Sequence, residues 1–123
     1  MAGIYIHIPF CKQACTYCDF YFSTSGKMVD DLVEGLIMEI QLQKNYFKDA
    51  NDNEINTIYF GGGTPSIIKP KHLQNIIESI RLNYQVANEI ECTIEVNPDD
   101  CNDFNIKAWQ EMGINRVSCG VQS

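Results

Sequence analysis

The chain has 123 residues, 45% apolar and 20% charged, which suits one ordinary globular domain of the soluble class. Its net charge of −7, with no basic block, excludes a nucleic-acid footprint. No apolar run approaches the ~20 residues that span a bilayer, and MAGIYIHIPF lacks the basic n-region and small-residue cleavage site of a signal peptide. The expected compartment is therefore the cytoplasm, where thiols stay reduced.

Ile4 to Ile8 alternates at period two and stops at Pro9, which predicts a strand. CKQACTYCDF follows, with Cys11, Cys15 and Cys18 spaced four and then three apart. From Met28 to about Phe47, Leu32, Val33, Leu36, Ile37 and Ile40 recur at helical spacing. Asn51-Asp52-Asn53 breaks the pattern. Ile55 to Phe60 is a short apolar strand that runs into Gly61-Gly62-Gly63. After Pro70, Leu73, Ile76, Ile77 and Ile80 mark a second helix. Ile90 to Val96 is a third strand, closed by Asn97-Pro98. Phe104, Ala108 and Met112 sit on a third helix that Gly113 can end, and Arg116 to Gln122 is a fourth strand.

Strand–helix alternation of this length predicts parallel strands joined by right-handed crossovers. Strands covered on both faces should be apolar throughout, and these are not. Tyr5 and His7 oppose Ile4, Ile6 and Ile8. Glu91, Thr93, Glu95 and Asn97 oppose Ile90, Cys92, Ile94 and Val96. Arg116, Ser118 and Gln122 oppose Val117, Cys119 and Val121. One face can pack on helices, and the other suits the wall of a wet cavity. That favours a barrel-like α/β sheet over a flat one, with the site at the C-terminal strand ends. The cysteine loop, the glycine run and Asn97-Pro98 all fall at such ends. Four strands cannot close a barrel, so the chain reads as the N-terminal part of a longer protein.

The cysteine loop admits three occupants. Zinc takes four protein ligands in a structural site, so His7 or a distant cysteine would have to join the three thiols. A redox pair fits Cys15-Thr16-Tyr17-Cys18 but leaves Cys11 without a purpose. A four-iron cluster on three thiolates leaves one iron open. The remaining cysteines, Cys92, Cys101 and Cys119, are scattered singly and read as structural, because free cysteine is often a small buried hydrophobe. His7 reads as a packed, hydrogen-bonded histidine.

A strand, C-x-x-x-C-x-aromatic-C, a helix and a strand ending in GGGTP together resemble the radical S-adenosylmethionine (SAM) superfamily. YIHIPFC, YCDF, FGGGTPS, EVNPDD and RVSCGVQS resemble its branch of oxygen-independent coproporphyrinogen III oxidase and HemW-type heme chaperones. The resemblance implies an α/β fold, the N-terminal part of a partial TIM-like radical SAM barrel with outer helices. Residues 1–123 would be an incomplete core domain of about four β/α units, ending within or just after the fourth strand. It implies a 4Fe–4S cluster on Cys11, Cys15 and Cys18, with SAM completing the fourth iron. Tyr5, Tyr17, Gly62, Gly63, Thr64, Glu95 and Gln122 match SAM-binding positions. Two activities follow. One is a heme chaperone that binds and transfers heme; the other is oxidative decarboxylation of coproporphyrinogen III by a 5′-deoxyadenosyl radical. Asp19-Phe20 after Cys18 and the early position of Tyr5 tilt toward the chaperone. Implied partners are a porphyrin or heme ligand, an electron donor such as flavodoxin or ferredoxin, and a membrane-associated heme acceptor. A zinc-stabilised structural module is the remaining reading, and it would be colourless.

Overall fold

The computed structural model describes residues 2–9, 26–44 and 54–119. Within them, β1 (Ala2–Ile8), α1 (Gly26–Leu42), β2 (Ile55–Gly62), α2 (Pro70–Asn83), β3 (Val86–Val96), α3 (Asp103–Glu111) and β4 (Arg116–Cys119) alternate along the chain. Short 3-10 turns at Pro65–Ile67 and Pro98–Asp100 follow β2 and β3.

The sheet is parallel, in the order β1-β2-β3-β4. Sequential order with right-handed crossovers moves every step in one direction and so sets every helix on one side. The core agrees: Ile6 and Ile8 of β1, Ile58 and Phe60 of β2, and Cys92, Ile94 and Val96 of β3 form one buried cluster with Val33, Ile76, Ile80 and Trp109 of the helices. Tyr5, His7 and Glu91 lie exposed on the opposite face. Thr93 and Gly61 are buried members of that face, Thr93 in the row between Tyr59 and Arg116. Over β1, β2 and β3 strand parity thus becomes one dry face and one polar face; β4 departs from it, with Val117 and Cys119 exposed like Arg116 and Ser118.

Local chemistry places the helix ends. Pro70 opens α2 with its φ preset and no N–H to satisfy. The Asn102 side chain caps α3 by accepting from Asn105 N at 2.8 Å. Gly113, with φ of 101°, ends it. Gly113 N donates to Gln110 O and Ile114 N to Trp109 O, the paired bonds of a Schellman turn, with Trp109 and Ile114 both buried. Asn115 then fixes β4 against β3. Its side chain accepts from Cys92 N at 2.9 Å and donates to Ile90 O at 2.6 Å.

Several boundaries differ from the sequence reading. The first helix starts at Gly26 and ends at Leu42, with 43–44 in a turn and 45–47 outside the described residues. β2 carries on through Gly61 and Gly62, where the sequence suggested a loop. β3 begins at Val86, four residues early, because Ile55 N bonds Gln85 O at 2.7 Å and Ile55 pairs with Val86 before the register shifts. The fourth strand is described only to Cys119.

Candidate functional site at the strand ends

The C-terminal ends of β1, β2 and β3 bring a polar cluster together. Glu95 on β3 is its centre. The Tyr59 hydroxyl donates to Glu95 Oε2 at 2.8 Å, and Gly62 N–H donates to Glu95 Oε1 at 2.9 Å. The Tyr59 ring stacks on Tyr5 of β1, centroids 5.6 Å apart and planes 13° apart. The parallel register sets Tyr5 beside Tyr59 and His7 beside Gly61. Hydrogen bonding to Glu95 pushes the Tyr59 phenol above its ordinary value of 10.0, helped by desolvation and the carboxylate charge, while a hydrogen bond with Ser118 opposes the shift.

The glycine run is used differently at each position. A Cβ on Gly61 would meet Tyr5 Oη at 2.6 Å, Tyr59 Cε1 at 2.8 Å and Glu95 Oε1 at 2.9 Å. Three site residues therefore close over that backbone. Gly62 has φ of 109°, a region that L side chains avoid, and turns its N–H onto Glu95. Gly63 N donates to Ile8 O at 2.7 Å, tying the loop to the end of β1. Thr64 is buried and its carbonyl accepts from Ile67 N at 3.1 Å.

A clamp joins the two loops behind this cluster. Buried Ser66 donates to Asp100 Oδ2 at 2.7 Å, while Asn97 N donates to Ser66 Oγ at 3.0 Å. Asn97 Oδ1 accepts from Asp99 N at 2.9 Å and holds the Pro98–Asp100 turn. The GGGTPS and NPDD segments are thereby one unit.

Of the residues matched from the sequence, Tyr5, Gly62, Gly63, Thr64 and Glu95 lie along this strand-end rim. Cys11, Cys15, Cys18, Tyr17 and Gln122 lie outside the described residues. Among the described residues no group of three His, Cys, Asp or Glu gathers to hold a metal ion. His7 is exposed rather than packed, with its ring against Gly62, because it stands on the face that none of the described helices covers. Cys92 is fully buried, as expected, and burial pushes its thiol up to about 11. Cys101 and Cys119 are exposed instead, and desolvation, with Cys119 nearby, raises the Cys101 thiol above its ordinary value. Tyr59, Ser66 and Asp100 were missed as individual residues. The parity that separated the faces of the other strands finds Tyr59, since Thr57, Tyr59 and Gly61 alternate with Ile58 and Phe60.

The model of the radical SAM superfamily matches residues 5–123. That family implies a 4Fe–4S cluster and SAM as cofactors. The described residues suit the organic cofactor: an exposed polar face bearing Tyr5 and His7, the side-chain-free backbone of Gly62 at the strand end, and an oriented carboxylate. The chain is 37% identical over 123 residues to the heme chaperone HemW of Escherichia coli (strain K12), covering 98% of this chain and 32% of that protein. It is 36% identical over 126 residues to the heme chaperone HemW of Bacillus subtilis (strain 168), covering 100% of this chain and 32% of that protein. Radical S-adenosyl methionine domain-containing protein 1, mitochondrial, of Danio rerio is 35% identical over 124 residues, covering 99% of this chain and 27% of that protein. The chain spans about a third of the length of the curated relatives it matches. Among solved structures, the coproporphyrinogen III oxidase HemN of Escherichia coli, a radical SAM enzyme, superposes with a TM-score of 0.78 at 26% identity, over 98% of this chain and 27% of that one. The chain belongs to the radical SAM superfamily, on the branch that holds HemW-type and HemN-type proteins.

Proposed function

We propose that the chain is the N-terminal part of a heme chaperone whose radical SAM core carries a 4Fe–4S cluster and SAM, and which binds and transfers heme. The observation that carries this reading is the identity to HemW proteins along nearly the entire chain, 37% for the Escherichia coli protein. Asp19-Phe20 directly after Cys18 supports the same branch.

Cys11, Cys15 and Cys18 would hold the cluster by three thiolates, leaving one iron to the second cofactor. Tyr5 and Tyr17 would wall the cofactor. Gly62, Gly63 and Thr64 would meet its amino-acid end through backbone groups, and Glu95 and Gln122 would supply polar contacts. When bound, the cluster and SAM together supply one-electron chemistry. The chain's own part is to orient and to exclude water: the stacked Tyr5 and Tyr59 rings form a wall, and the Ser66–Asp100 clamp fixes the loop that ends β2.

A second reading has its own support. The likeness to HemN, at a TM-score of 0.78, favours a coproporphyrinogen III oxidase. The full-length protein separates the two. Under anaerobic conditions with SAM and a flavodoxin or ferredoxin as reductant, a chaperone binds heme stoichiometrically and releases no carbon dioxide from coproporphyrinogen III. Vinyl product and carbon dioxide without tight heme binding would overturn the chaperone reading in favour of the oxidase. The chaperone reading also places the protein in the cytoplasm, handing heme to a membrane-associated acceptor. Among the described residues no helix is long and apolar enough to cross a membrane.

A further inference from the structure

Glu95 is held from two sides before any ligand arrives. Tyr59, in the middle of β2, donates to Oε2 at 2.8 Å, and Gly62, at the end of the same strand, donates to Oε1 at 2.9 Å. A carboxylate offers about four acceptor sites over its two oxygens. One donor on each oxygen fixes the plane of the group and leaves capacity on both. Tyr59 is itself fixed. Its ring stacks on Tyr5 at 5.6 Å, and its Cε1 would lie 2.8 Å from a Cβ on Gly61. One side chain thus touches Tyr5 directly and, through Glu95, reaches the Gly62 backbone.

The hydroxyl is a donor here for a physical reason. The adjacent carboxylate opposes loss of its proton, so the phenol stays neutral throughout the working pH range. A flexible glutamate on an open face would have to be ordered when a ligand binds, and that ordering would be subtracted from affinity. Here folding has already ordered it.

We propose that Tyr59 is the positioning residue of this site, presetting the Glu95 carboxylate against the glycine loop so that its remaining acceptor sites meet a cationic group of the bound ligand. This rests on the reading of the polar face as a SAM site. Tyr59→Phe removes the one hydroxyl and keeps the stacked ring.

The test uses the cluster-loaded full-length protein without reductant, and calorimetry with SAM. Tyr59→Phe is expected to bind SAM about tenfold more weakly, the loss of one bond to a charged acceptor. Its iron content and cluster absorbance are expected to match wild type. In a Glu95→Gln background the same change is expected to have little further effect. SAM binding by Tyr59→Phe equal to wild type would overturn the proposal, and so would equal weakening in both backgrounds, which marks a merely structural tyrosine. A second readout needs no cofactor. In protein labelled at tyrosine Cζ, the Tyr59 resonance is expected to titrate above the ordinary phenol value of 10.0 and to move down in Glu95→Gln. If wild type takes up no SAM, the reading of the site falls. The phenol titration then decides the coupling, and a Tyr59 resonance indifferent to Glu95→Gln overturns it.

Discussion

Replacing Gly62 by alanine tests the strand-end geometry most sharply. Its φ of 109° lies beyond even the left-handed helical region, and a Cβ there would sit 2.7 Å from His7 Nδ1, 2.8 Å from His7 Cε1 and 2.9 Å from Ile8 O. The left-handed conformation alone destabilises an L residue by about 1–2 kcal/mol. The His7 ring can swing aside, because it is exposed. Ile8 O cannot, because Ile8 pairs with Gly62 in the sheet and its carbonyl accepts from Gly63 N at 2.7 Å. Crowding of that kind adds about 1–3 kcal/mol, so Gly62→Ala should lower the unfolding free energy by about 2–5 kcal/mol in all. The assay is equilibrium unfolding in guanidinium, read by the single tryptophan, Trp109, which is buried. Gly35→Ala is the control of opposite sign. Gly35 lies inside α1 with nothing within 4 Å of a Cβ, and alanine there should stabilise by about 0.5–1 kcal/mol. His7→Ala in the Gly62→Ala protein should recover the smaller part of the loss. A Gly62→Ala protein within about 0.5 kcal/mol of wild type would refute the argument, since that is the range of an unremarkable surface change.

Three further outcomes follow from the same contacts. Ser66→Ala removes both bonds that join the GGGTPS and NPDD loops and leaves Asn97 N–H without its acceptor. It should destabilise by about 1–3 kcal/mol in urea unfolding. The Tyr59 phenol is raised by Glu95, so its bond contributes stability that is fully present below the ordinary value of 10.0 and is lost as pH rises through the higher folded value. The stability difference between wild type and Tyr59→Phe should therefore be constant from neutral pH to about 9 and shrink above that range. With a thiol-specific reagent and peptide mass analysis, Cys92 should stay unmodified in the native protein, being buried with its thiol pushed up to about 11. Cys101 should label, though more slowly than a free thiol, because its own value is also raised.

Much of this fold was legible because period-two parity is set by one polar face and one packed face. Ile6, Ile8, Cys92, Ile94 and Val96 are buried, while Tyr5, His7 and Glu91 are exposed. Gly113 and Pro70 mark helix ends through backbone geometry that any sequence context must respect. What stayed hidden depends on contacts between distant segments. β3 gains Val86 to Glu89 only because β2 pairs there across a register shift. The Asn115 amide supplies hydrogen bonds to Cys92 and Ile90 that seat β4, contacts that no pattern along the chain announces. Cys101 and Cys119 read as small hydrophobes, but neither lies on a surface that the described helices cover. Tyr59 was legible in principle, because it shares parity with Gly61, but its apolar neighbours Ile58 and Phe60 masked it. Parity and motif both point to Glu95, whereas its orientation needs Tyr59 and Gly62 in three dimensions.

We propose that Cys11, Cys15 and Cys18 hold a 4Fe–4S cluster with one iron open to SAM. The direct measurement is anaerobic reconstitution with iron and sulfide, followed by absorption and reduced-state EPR spectra with and without SAM, in wild type and Cys15→Ala. The expected result is a broad iron–sulfur absorption, an EPR signal that changes when SAM is added, and loss of the cluster in Cys15→Ala. A colourless protein that holds zinc, or iron content unchanged in Cys15→Ala, would contradict it.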